Sequence, residues 1–350
     1  MKFTCILSML VLVGTCAKPK YTARIQNLKD SITLVDSSLV MTYANTITSD
    51  ELKTHLYTFS SNDFEGRRVG SKGQKLASNF LKSYYINEGI KSPLGQDNYY
   101  QVIPTSFFSN KFKSSENVLA YIEGTEKPDE VIIISAHLDH LGISENGQIN
   151  NGADDDGSGT VAIMEMAQAF KLAKKEGFGP KRSILFLHLT AEEIGKRGSE
   201  FYTKNPVFNL ENTIVNLNID MIGRVDDVHK NNKDYLYLIG SDRLSKELHF
   251  TSEKINNTFI NIDIDYRFNI MGESNDYYSR SDHYNFALQN IPVIFYFNGE
   301  HEDYHRETDT PDKIDYPLLE KRTKLIFTTA WQIANQEHRL VNDDDNELLK

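Results

Sequence analysis

Apolar positions along the chain form runs that predict the strands of one sheet. Four runs have the length of strands: EVIIISA at 130–136, SILFLHLTA at 183–191, TIVNLNI at 213–219 and IPVIFYF at 291–297. The first, second and fourth are nearly continuous, as expected of strands that are covered on both faces. Between the first two, TVAIMEMAQAFKLAKKEG repeats apolar residues at a helical period and stops at Gly177. Alternating strands and helices predict a three-layer α/β/α sandwich with a mixed, largely parallel central sheet.

Two further amphipathic segments precede the predicted strands. TSDELKTHLYTFSS at 48–61 has the pattern of a capped helix, and SKGQKLASNFLKSYYINEGI at 71–90 that of a helix ended by Gly89. No repeat and no low-complexity linker interrupts residues 40–340. We therefore predict one domain over residues 17–341, followed by an acidic tail at 342–350.

The first residues, MKFTCILSMLVLVGTCAKPK, are typical of exported proteins. An early lysine is followed by an apolar run that is too short to cross a bilayer, which predicts an export signal over residues 1–16. The stretch LVGTC resembles a bacterial lipoprotein signal, in which a lipidated Cys16 would attach the mature chain to a membrane. Thr15 is unusual before such a cysteine, so ordinary signal-peptidase cleavage near Ala17 is the alternative. We expect an exported protein, located in the periplasm or attached to the outer membrane of a bacterium.

Charge and cysteine content narrow the range of functions. The net charge of -11 and the pI near 5.4 argue against nucleic acid as a partner, because a nucleic-acid-binding face must be basic. Both cysteines, Cys5 and Cys16, lie in the predicted export signal. The mature chain therefore has no thiolate metal site, and histidine and carboxylate must hold any transition metal.

Histidines and acids follow the predicted strands. In order, they occur in HLDH at 137–140, in NGADDDGSG at 151–159, at Glu192 and Glu193, at Asp220, and in HEDYH at 301–305. Each has an ordinary explanation on its own, such as a solvated turn, a favourable charge at a helix start or a cap. In open α/β sheets, however, ligands bind beyond the carboxyl ends of the strands. Five segments that bring such residues to one edge indicate a functional site.

The chemistry that these residues suggest is a two-metal site. Zinc binds histidine nitrogen and carboxylate oxygen, and two ions roughly 3.5 to 4 Å apart can share a bridging carboxylate. Each ion then needs one histidine and one acid of its own. That count is met by His137, Asp155, Glu193, Asp220 and His305. Glu192 remains beside a ligand, where a general base belongs, and Asp139 could orient the imidazole two residues before it.

The order of these motifs resembles a known family. HLDHLG, NGADDDGSG, TAEEIG, NIDMIG and YHRETDTPDKI together resemble the co-catalytic zinc aminopeptidases of peptidase family M28, and the similarity runs from DFEGRRVGSKG at 63–73 to Asp315. The resemblance implies that Asp155 bridges two zinc ions. His137 and Asp220 would complete one zinc site, and Glu193 and His305 the other.

The same resemblance implies further roles and one difference. Glu192 would be the general base, and Tyr304 would donate a hydrogen bond to the oxyanion; the alternative for Tyr304 is a tyrosine that fills space at the rim. A cis peptide is implied between Asp155 and Asp156. Many larger members carry an inserted protease-associated domain before HxDH, whereas only a short segment occupies that place here, so we expect a single compact catalytic domain. The segment SDH at 281–283 also resembles the family but receives no role.

The function expected from the resemblance is hydrolysis of N-terminal residues from peptides, with two Zn²⁺ ions per chain. A glutaminyl cyclase with a single zinc and a catalytically inactive binding domain of the same fold are the alternatives. HEDYH matches the H-E-x-x-H signature of helical zinc sites, but a strand and a turn precede it and Pro311 follows it, so no helix of sufficient length fits. We therefore expect His305 to be a ligand, Glu302 not to be the base, and His301 to be a loop residue.

Overall fold

The computed structural model of the protein describes residues 20–35, 37–95 and 97–350. The predicted export signal, with Cys5 and Cys16, lies outside the described residues. Within these ranges, no helix combines the length and the apolar character that crossing a membrane requires.

At least one helix lies between each pair of consecutive predicted strands, as the apolar runs predict. The helices are α1 (Tyr21–Ser31), α2 (Ser37–Ala44), α3 (Ser49–Phe59), α4 (Lys72–Asn87), α5 (Gly159–Lys175), α6 (Arg197–Lys204), α7 (Lys246–Ile255), α8 (His283–Ala287) and α9 (Tyr316–Asn335). The strands are β1 (Tyr100–Ile103), β2 (Ser115–Ile122), β3 (Lys127–His137), β4 (Gly142–Ile143), β5 (Ile149–Asn150), β6 (Arg182–Leu189), β7 (Thr213–Ile219), β8 (Tyr235–Ile239), β9 (Asp263–Asp265) and β10 (Val293–Phe297). The four predicted strands correspond to β3, β6, β7 and β10.

One mixed sheet forms the centre of the fold. Its strand order is β1-β2-β6-β3-β7-β10-β8-β9. The four central strands, β6, β3, β7 and β10, are parallel to one another. Antiparallel pairing joins β2 to β6, β1 to β2 and β8 to β10, whereas β9 is parallel to β8. The prediction of a mixed, largely parallel sheet is confirmed.

Alternate residues of the central strands pack on opposite sides of this sheet. In β3, Ile132 and Ile134 belong to a large core cluster with apolar residues of α5 and α9. Val131 and Ile133 point to the other face, into a cluster with Tyr202 of α6 and residues of α8. Both faces are therefore covered, which explains why the central strands are apolar at nearly every position. Helices on both faces give the predicted three-layer arrangement.

Residues 342–350, the predicted acidic tail, make specific contacts with the rest of the protein. Asp343 accepts a hydrogen bond over 2.7 Å from the main-chain amide of Lys246, at the start of α7. Asn346 donates a longer hydrogen bond, over 3.4 Å, to Glu247 in the same helix. An acid at a helix N-terminus is favourable because it satisfies free amides of the first turn.

Candidate metal centre

The candidate ligands lie at the carboxyl edge of the parallel strands. His137 is the last residue of β3, Glu193 follows β6, and Asp220 follows β7 directly. Asp155 lies in an irregular turn, Ala153–Ser158, that precedes α5, and His305 lies in the loop after β10. The structure thus brings together all five of the residues that the sequence selects as metal ligands, from five separate segments.

Asp155 is at the centre of this arrangement, and its two carboxylate oxygens face different histidines. Oδ1 lies 3.1 Å from His137 Nε2, which is in turn 3.6 Å from Asp220 Oδ1. Oδ2 lies 3.1 Å from His305 Nε2, which is 3.3 Å from Glu193 Oε2. We call the first group site 1 (His137, Asp155, Asp220) and the second site 2 (Asp155, Glu193, His305). A carboxylate divided in this way can hold two cations side by side.

A further histidine, which the sequence reasoning gave no role, also reaches this group. His140 is the last residue of HLDH, and its Nδ1 lies 2.7 Å from Glu193 Oε1 and 3.7 Å from Asp155 Oδ2. Its side chain is fully buried. In the sequence, only its position in HLDH, close to His137, hints that His140 lies near the metal ligands. The spacing alone does not distinguish it from a histidine of the core.

The turn that carries Asp155 is held in place by two neighbouring acids. Asp156 is fully buried, and its carboxylate accepts hydrogen bonds from the amides of His137, Gly159 and Met221. The peptide between Asp155 and Asp156 is cis, as the resemblance implies. Asp309 accepts hydrogen bonds from the amide of Asp155, over 3.1 Å, and from that of the preceding residue. These two acids therefore fix the main chain on both sides of the candidate bridge.

A buried arginine ties the ligand-bearing segments to each other. The Arg67 guanidinium donates hydrogen bonds to the main-chain carbonyls of Leu138, Asn151 and Gly152. Arg67 comes from DFEGRRVGSKG, the segment in which the resemblance to the family begins. Burial lowers the pKa of Arg67 to about 10, so the side chain stays charged at neutral pH. It therefore places one positive charge beneath a group of acids.

The predicted general base lies beside the ligands. Glu192 lines the same small cavity as Asp155, Asp220, Tyr304 and His305. Its main-chain amide donates a 3.1 Å hydrogen bond to Asp139 Oδ1, which fixes the start of the Glu192–Glu193 turn. Burial raises the pKa of Glu192 well above the ordinary value for a glutamate. A raised pKa suits a group that must accept a proton and later release it.

Asp139 contacts His137 mainly through its main chain. The His137 ring atom Nδ1 lies 3.0 Å from the main-chain carbonyl oxygen of Asp139, whereas the carboxylate oxygen Oδ1 is 3.8 Å away. The main-chain carbonyl thus orients the imidazole, and the carboxylate orients the amide of Glu192. Burial raises the pKa of Asp139 to about 7.

Tyr304 lines the cavity next to His305, and the two rings stack with centroids 3.9 Å apart. Burial raises the pKa of Tyr304, and the nearby Asp155 raises it further. The phenol therefore stays protonated and can donate a hydrogen bond. Met221, Tyr277, Phe295 and Phe297 form the apolar part of the cavity wall.

Two other residues of HEDYH and a histidine in β6 lie outside both sites. HEDYH at 301–305 forms turns, not a helix. Its first residue, His301, pairs with Asp154 at 3.2 Å and lies outside both sites. Glu302 is exposed. His188 lies in β6, where it contacts the Tyr85 hydroxyl over 2.7 Å, which fits a core histidine.

The surroundings of the two sites fit a cation. Burial alone would lower the pKa of His137 and of His305, yet the neighbouring carboxylates raise both, that of His305 to about 10. Two buried oxygens, Asp155 Oδ2 and Glu193 Oε1, have no hydrogen-bond partner among the described residues. Buried polar atoms without partners are costly, and a metal ion would satisfy them. Imidazole nitrogen and carboxylate oxygen are donors that zinc accepts.

A three-layer α/β fold with histidines and acids at its strand ends defines a candidate metal-dependent hydrolase. The model of "Peptidase family M28" matches residues 117–330, more than half of the chain. The chain belongs to peptidase family M28.

Proteins of similar sequence match this chain over very different fractions of their own length. A probable aminopeptidase of Saccharomyces cerevisiae is 24% identical over 276 residues, which cover 75% of this chain and 71% of that protein. Two probable glutamate carboxypeptidases of Arabidopsis thaliana are 36% and 34% identical, but the match spans only 14% and 15% of their length.

Solved structures share the fold. The aminopeptidase LapA of Legionella pneumophila has a TM-score of 0.67 at 21% identity, over 87% of this chain and 77% of that one. A glutaminyl cyclase of Bacteroides thetaiotaomicron has a TM-score of 0.64 at 19% identity, over 83% of this chain and 99% of that one. Because proteins with different reactions share this fold, the fold alone does not decide the reaction.

Proposed function

We propose that this protein is a di-zinc exopeptidase that removes N-terminal residues from peptides. The observation that carries the proposal is the division of Asp155, whose Oδ1 faces His137 and whose Oδ2 faces His305. A site for a single ion would not need both oxygens to face separate donor groups. Membership of family M28 supports peptide hydrolysis as the reaction class.

The proposed ligand set follows the two groups of donors. His137, Asp155 and Asp220 would hold one zinc ion, and Asp155, Glu193 and His305 the other. Bound zinc would supply Lewis-acid activation of a water molecule and of the scissile carbonyl. The acids around these histidines supply the negative charge that two divalent cations require.

Two side chains of the cavity would carry the proton and stabilise the developing charge. Glu192 would accept the proton of the attacking water and then give it to the leaving amine, a role that suits its raised pKa. Tyr304, which stays protonated, would donate a hydrogen bond to the carbonyl oxygen as that oxygen gains charge. The carboxylate of Asp139 would hold the main chain of Glu192 in place.

The substrate is proposed to be a peptide with a free N-terminus. One relative, matched over 71% of its own length, is named a probable aminopeptidase, which supports this choice. The shorter matches to probable glutamate carboxypeptidases leave removal of C-terminal residues as the alternative within the family. The apolar wall formed by Met221, Tyr277, Phe295 and Phe297 favours an apolar side chain at the cleaved residue.

A panel of aminoacyl fluorogenic substrates and C-terminally blocked or free dipeptides, assayed with and without a chelator, tests the proposal. We expect release of N-terminal residues, loss of that release with chelator, and recovery on adding zinc. Cyclisation of N-terminal glutamine with one zinc ion per chain would instead support a glutaminyl cyclase. The absence of turnover together with the absence of bound metal would support a binding domain.

Export and lipidation are proposed from the N-terminal sequence alone. Mass spectrometry of the mature N-terminus after expression in a bacterial host separates the two routes. Acylation of Cys16 would support a lipoprotein, whereas an unmodified N-terminus near Ala17 would support ordinary cleavage. A mature chain that keeps Met1 would contradict export.

A further inference from the structure

His140 is a buried imidazole without a hydrogen bond. Its side chain is fully inaccessible to solvent. Neither ring nitrogen has a hydrogen-bond partner within the described part of the chain. A buried polar group without a partner is destabilising unless another ligand satisfies it. Both ring nitrogens of His140 are therefore available to a ligand, and what distinguishes this buried histidine is the set of atoms that its Nδ1 faces.

The imidazole points at the two oxygens that also lack partners. His140 Nδ1 lies 2.7 Å from Glu193 Oε1 and 3.7 Å from Asp155 Oδ2, and neither oxygen has a hydrogen-bond partner in the described ranges. Three atoms that can coordinate a metal ion, one from each of three residues, thus lie close together without hydrogen-bond partners.

The distances around that point match a metal site. Zinc to nitrogen or oxygen distances near 2.0 to 2.2 Å place tetrahedral ligand atoms about 3.4 Å from one another. His305 Nε2 is 3.1 Å from Asp155 Oδ2 and 3.3 Å from Glu193 Oε2, and His140 Nδ1 is 3.7 Å from Asp155 Oδ2. These three separations are within about 0.3 Å of that tetrahedral edge, whereas the 2.7 Å between His140 Nδ1 and Glu193 Oε1 is shorter.

The position of the His140 ring is fixed by the main chain behind it. A Cβ atom at Gly152 would lie 2.5 Å from Cγ of the His140 ring, so only glycine allows this close packing. Gly152 also has a φ of 54°, which favours glycine for a second reason. Its carbonyl accepts a hydrogen bond from Arg67, which holds the turn against the ring. The ring is therefore preorganised, as a metal ligand must be.

We propose that His140 is a direct ligand of the metal ion at site 2. The inference rests on the proposed two-metal function and adds a residue to it. Site 2 would then have four protein ligands (His140, Asp155, Glu193 and His305), whereas site 1 has three (His137, Asp155 and Asp220). Site 2 would bind its ion more tightly, and site 1 would keep more of its coordination open.

Zinc binding by the full mature chain tests this assignment, with His140→Gln as the main variant. Glutamine can donate a hydrogen bond to Glu193 but is a poor zinc ligand, so it separates ligation from positioning. His283→Gln is the matched control, because His283 is equally buried and lies outside both sites. Zinc per chain is measured after equilibration with a series of chelator-buffered free-zinc concentrations, and circular dichroism checks the fold.

The wild type and His283→Gln should each bind two zinc ions per chain. In His140→Gln the affinity for one of the two ions should fall by more than roughly 100-fold. Loss of a supporting hydrogen bond alone lowers metal affinity by up to about 100-fold, so a larger loss indicates a direct ligand. A loss of about 100-fold or less in His140→Gln, with two ions in the wild type, would overturn the assignment of His140 as a ligand and leave the two-metal function standing. Fewer than two ions in the wild type would overturn the two-metal function itself.

X-ray absorption of the zinc-loaded wild type gives a second measurement that needs no variant. Three imidazole ligands shared between two ions would support the assignment, because His137 and His305 account for only two. A spectrum that fits two imidazoles over two ions would contradict it. This measurement decides the question even if His140→Gln does not fold.

Discussion

Arg67 donates a 2.8 Å hydrogen bond from Nη2 to the main-chain carbonyl of Gly152, and the arginine is completely buried. The same guanidinium holds the carbonyl of Leu138, over 2.9 Å from Nε. Leu138 follows a candidate ligand of site 1, and Gly152 begins the turn that carries the candidate bridge. One side chain therefore connects a strand end to the Asp155 turn, although it contacts neither metal site directly.

Replacing Arg67 by lysine should destabilise the protein by at least about 3 kcal/mol. A lysine cannot form the fork of hydrogen bonds that satisfies several carbonyls, and each buried carbonyl that is left unpaired costs about 1 to 3 kcal/mol. The free energy of unfolding in urea measures the change. Arg68→Lys, at the adjacent exposed position, should stay within about 0.5 kcal/mol of the wild type. Equal stability of the Arg67 and Arg68 variants would contradict the role of the guanidinium.

Asp155→Ala should remove both metal ions, whereas Asp220→Ala should weaken only one. The reason is that each oxygen of Asp155 faces its own histidine. Asp220 faces one histidine, His137, through Oδ1, and its Oδ2 accepts a hydrogen bond from Ser281. Metal analysis by mass spectrometry at a fixed free-zinc concentration measures the ions per chain. If two ions remain bound in Asp155→Ala at the wild-type affinity, the bridging role is wrong.

Glu192→Gln should lower kcat by about 100- to 10,000-fold and leave the metal content nearly intact. The amide keeps the shape of the carboxylate but cannot accept the proton of the attacking water. Kinetics on the best substrate of the panel and metal analysis of the same sample measure the two effects. Wild-type turnover by Glu192→Gln would assign the base to another residue.

The sequence predicts those features that depend on neighbouring residues in the chain. It does not predict those that depend on contacts with residues distant in the chain. The central strands are covered on both faces, so apolar runs predict them, whereas β1 and β9 are short strands at the edges of the sheet and have no such run. The ligand candidates follow from strand ends, which are local features. Arg67 and His140 act through residues that are distant in the chain. An arginine in sequence is expected at the surface, and only the fold shows its burial.

Substitutions at two residues of HEDYH, His305 and Glu302, should have opposite effects on metal binding and turnover. His305→Ala should weaken metal binding at site 2, because its Nε2 is within 3.3 Å of both Asp155 and Glu193 carboxylate oxygens. Glu302→Gln should keep both the metal content and the turnover, because Glu302 is exposed and contacts neither site. Metal analysis and kinetics on both variants measure the contrast. Loss of turnover in Glu302→Gln with intact metal would revive the helical zinc-site interpretation of these five residues.

Stability should also depend on pH through His188. Burial lowers the pKa of His188 from 6.5 to about 3 in the folded protein. Between these values the unfolded chain binds a proton at this residue and the folded chain does not. The free energy of unfolding should therefore fall as the pH decreases from about 6.5 to about 3, by up to roughly 1.4 kcal/mol per pH unit from this residue. The slope should halve near pH 6.5 and vanish well above it, where His188 is neutral in both the folded and the unfolded chain.

His188→Gln should reduce the slope of stability against pH by nearly one proton in this range, because glutamine does not titrate. Urea unfolding at several pH values between about 4 and 8 measures the slope, and the comparison with the wild type removes the contribution of all other groups. Tyr85→Phe is the control: it deletes the hydroxyl that contacts His188 and lowers the stability, yet leaves the titrating imidazole buried. Its slope should remain that of the wild type. If the free energy of unfolding has the same slope against pH in His188→Gln and in the wild type, His188 is not held neutral in the folded protein. A histidine that burial keeps neutral has a lower pKa in the folded chain than in the unfolded chain, and this difference produces the slope.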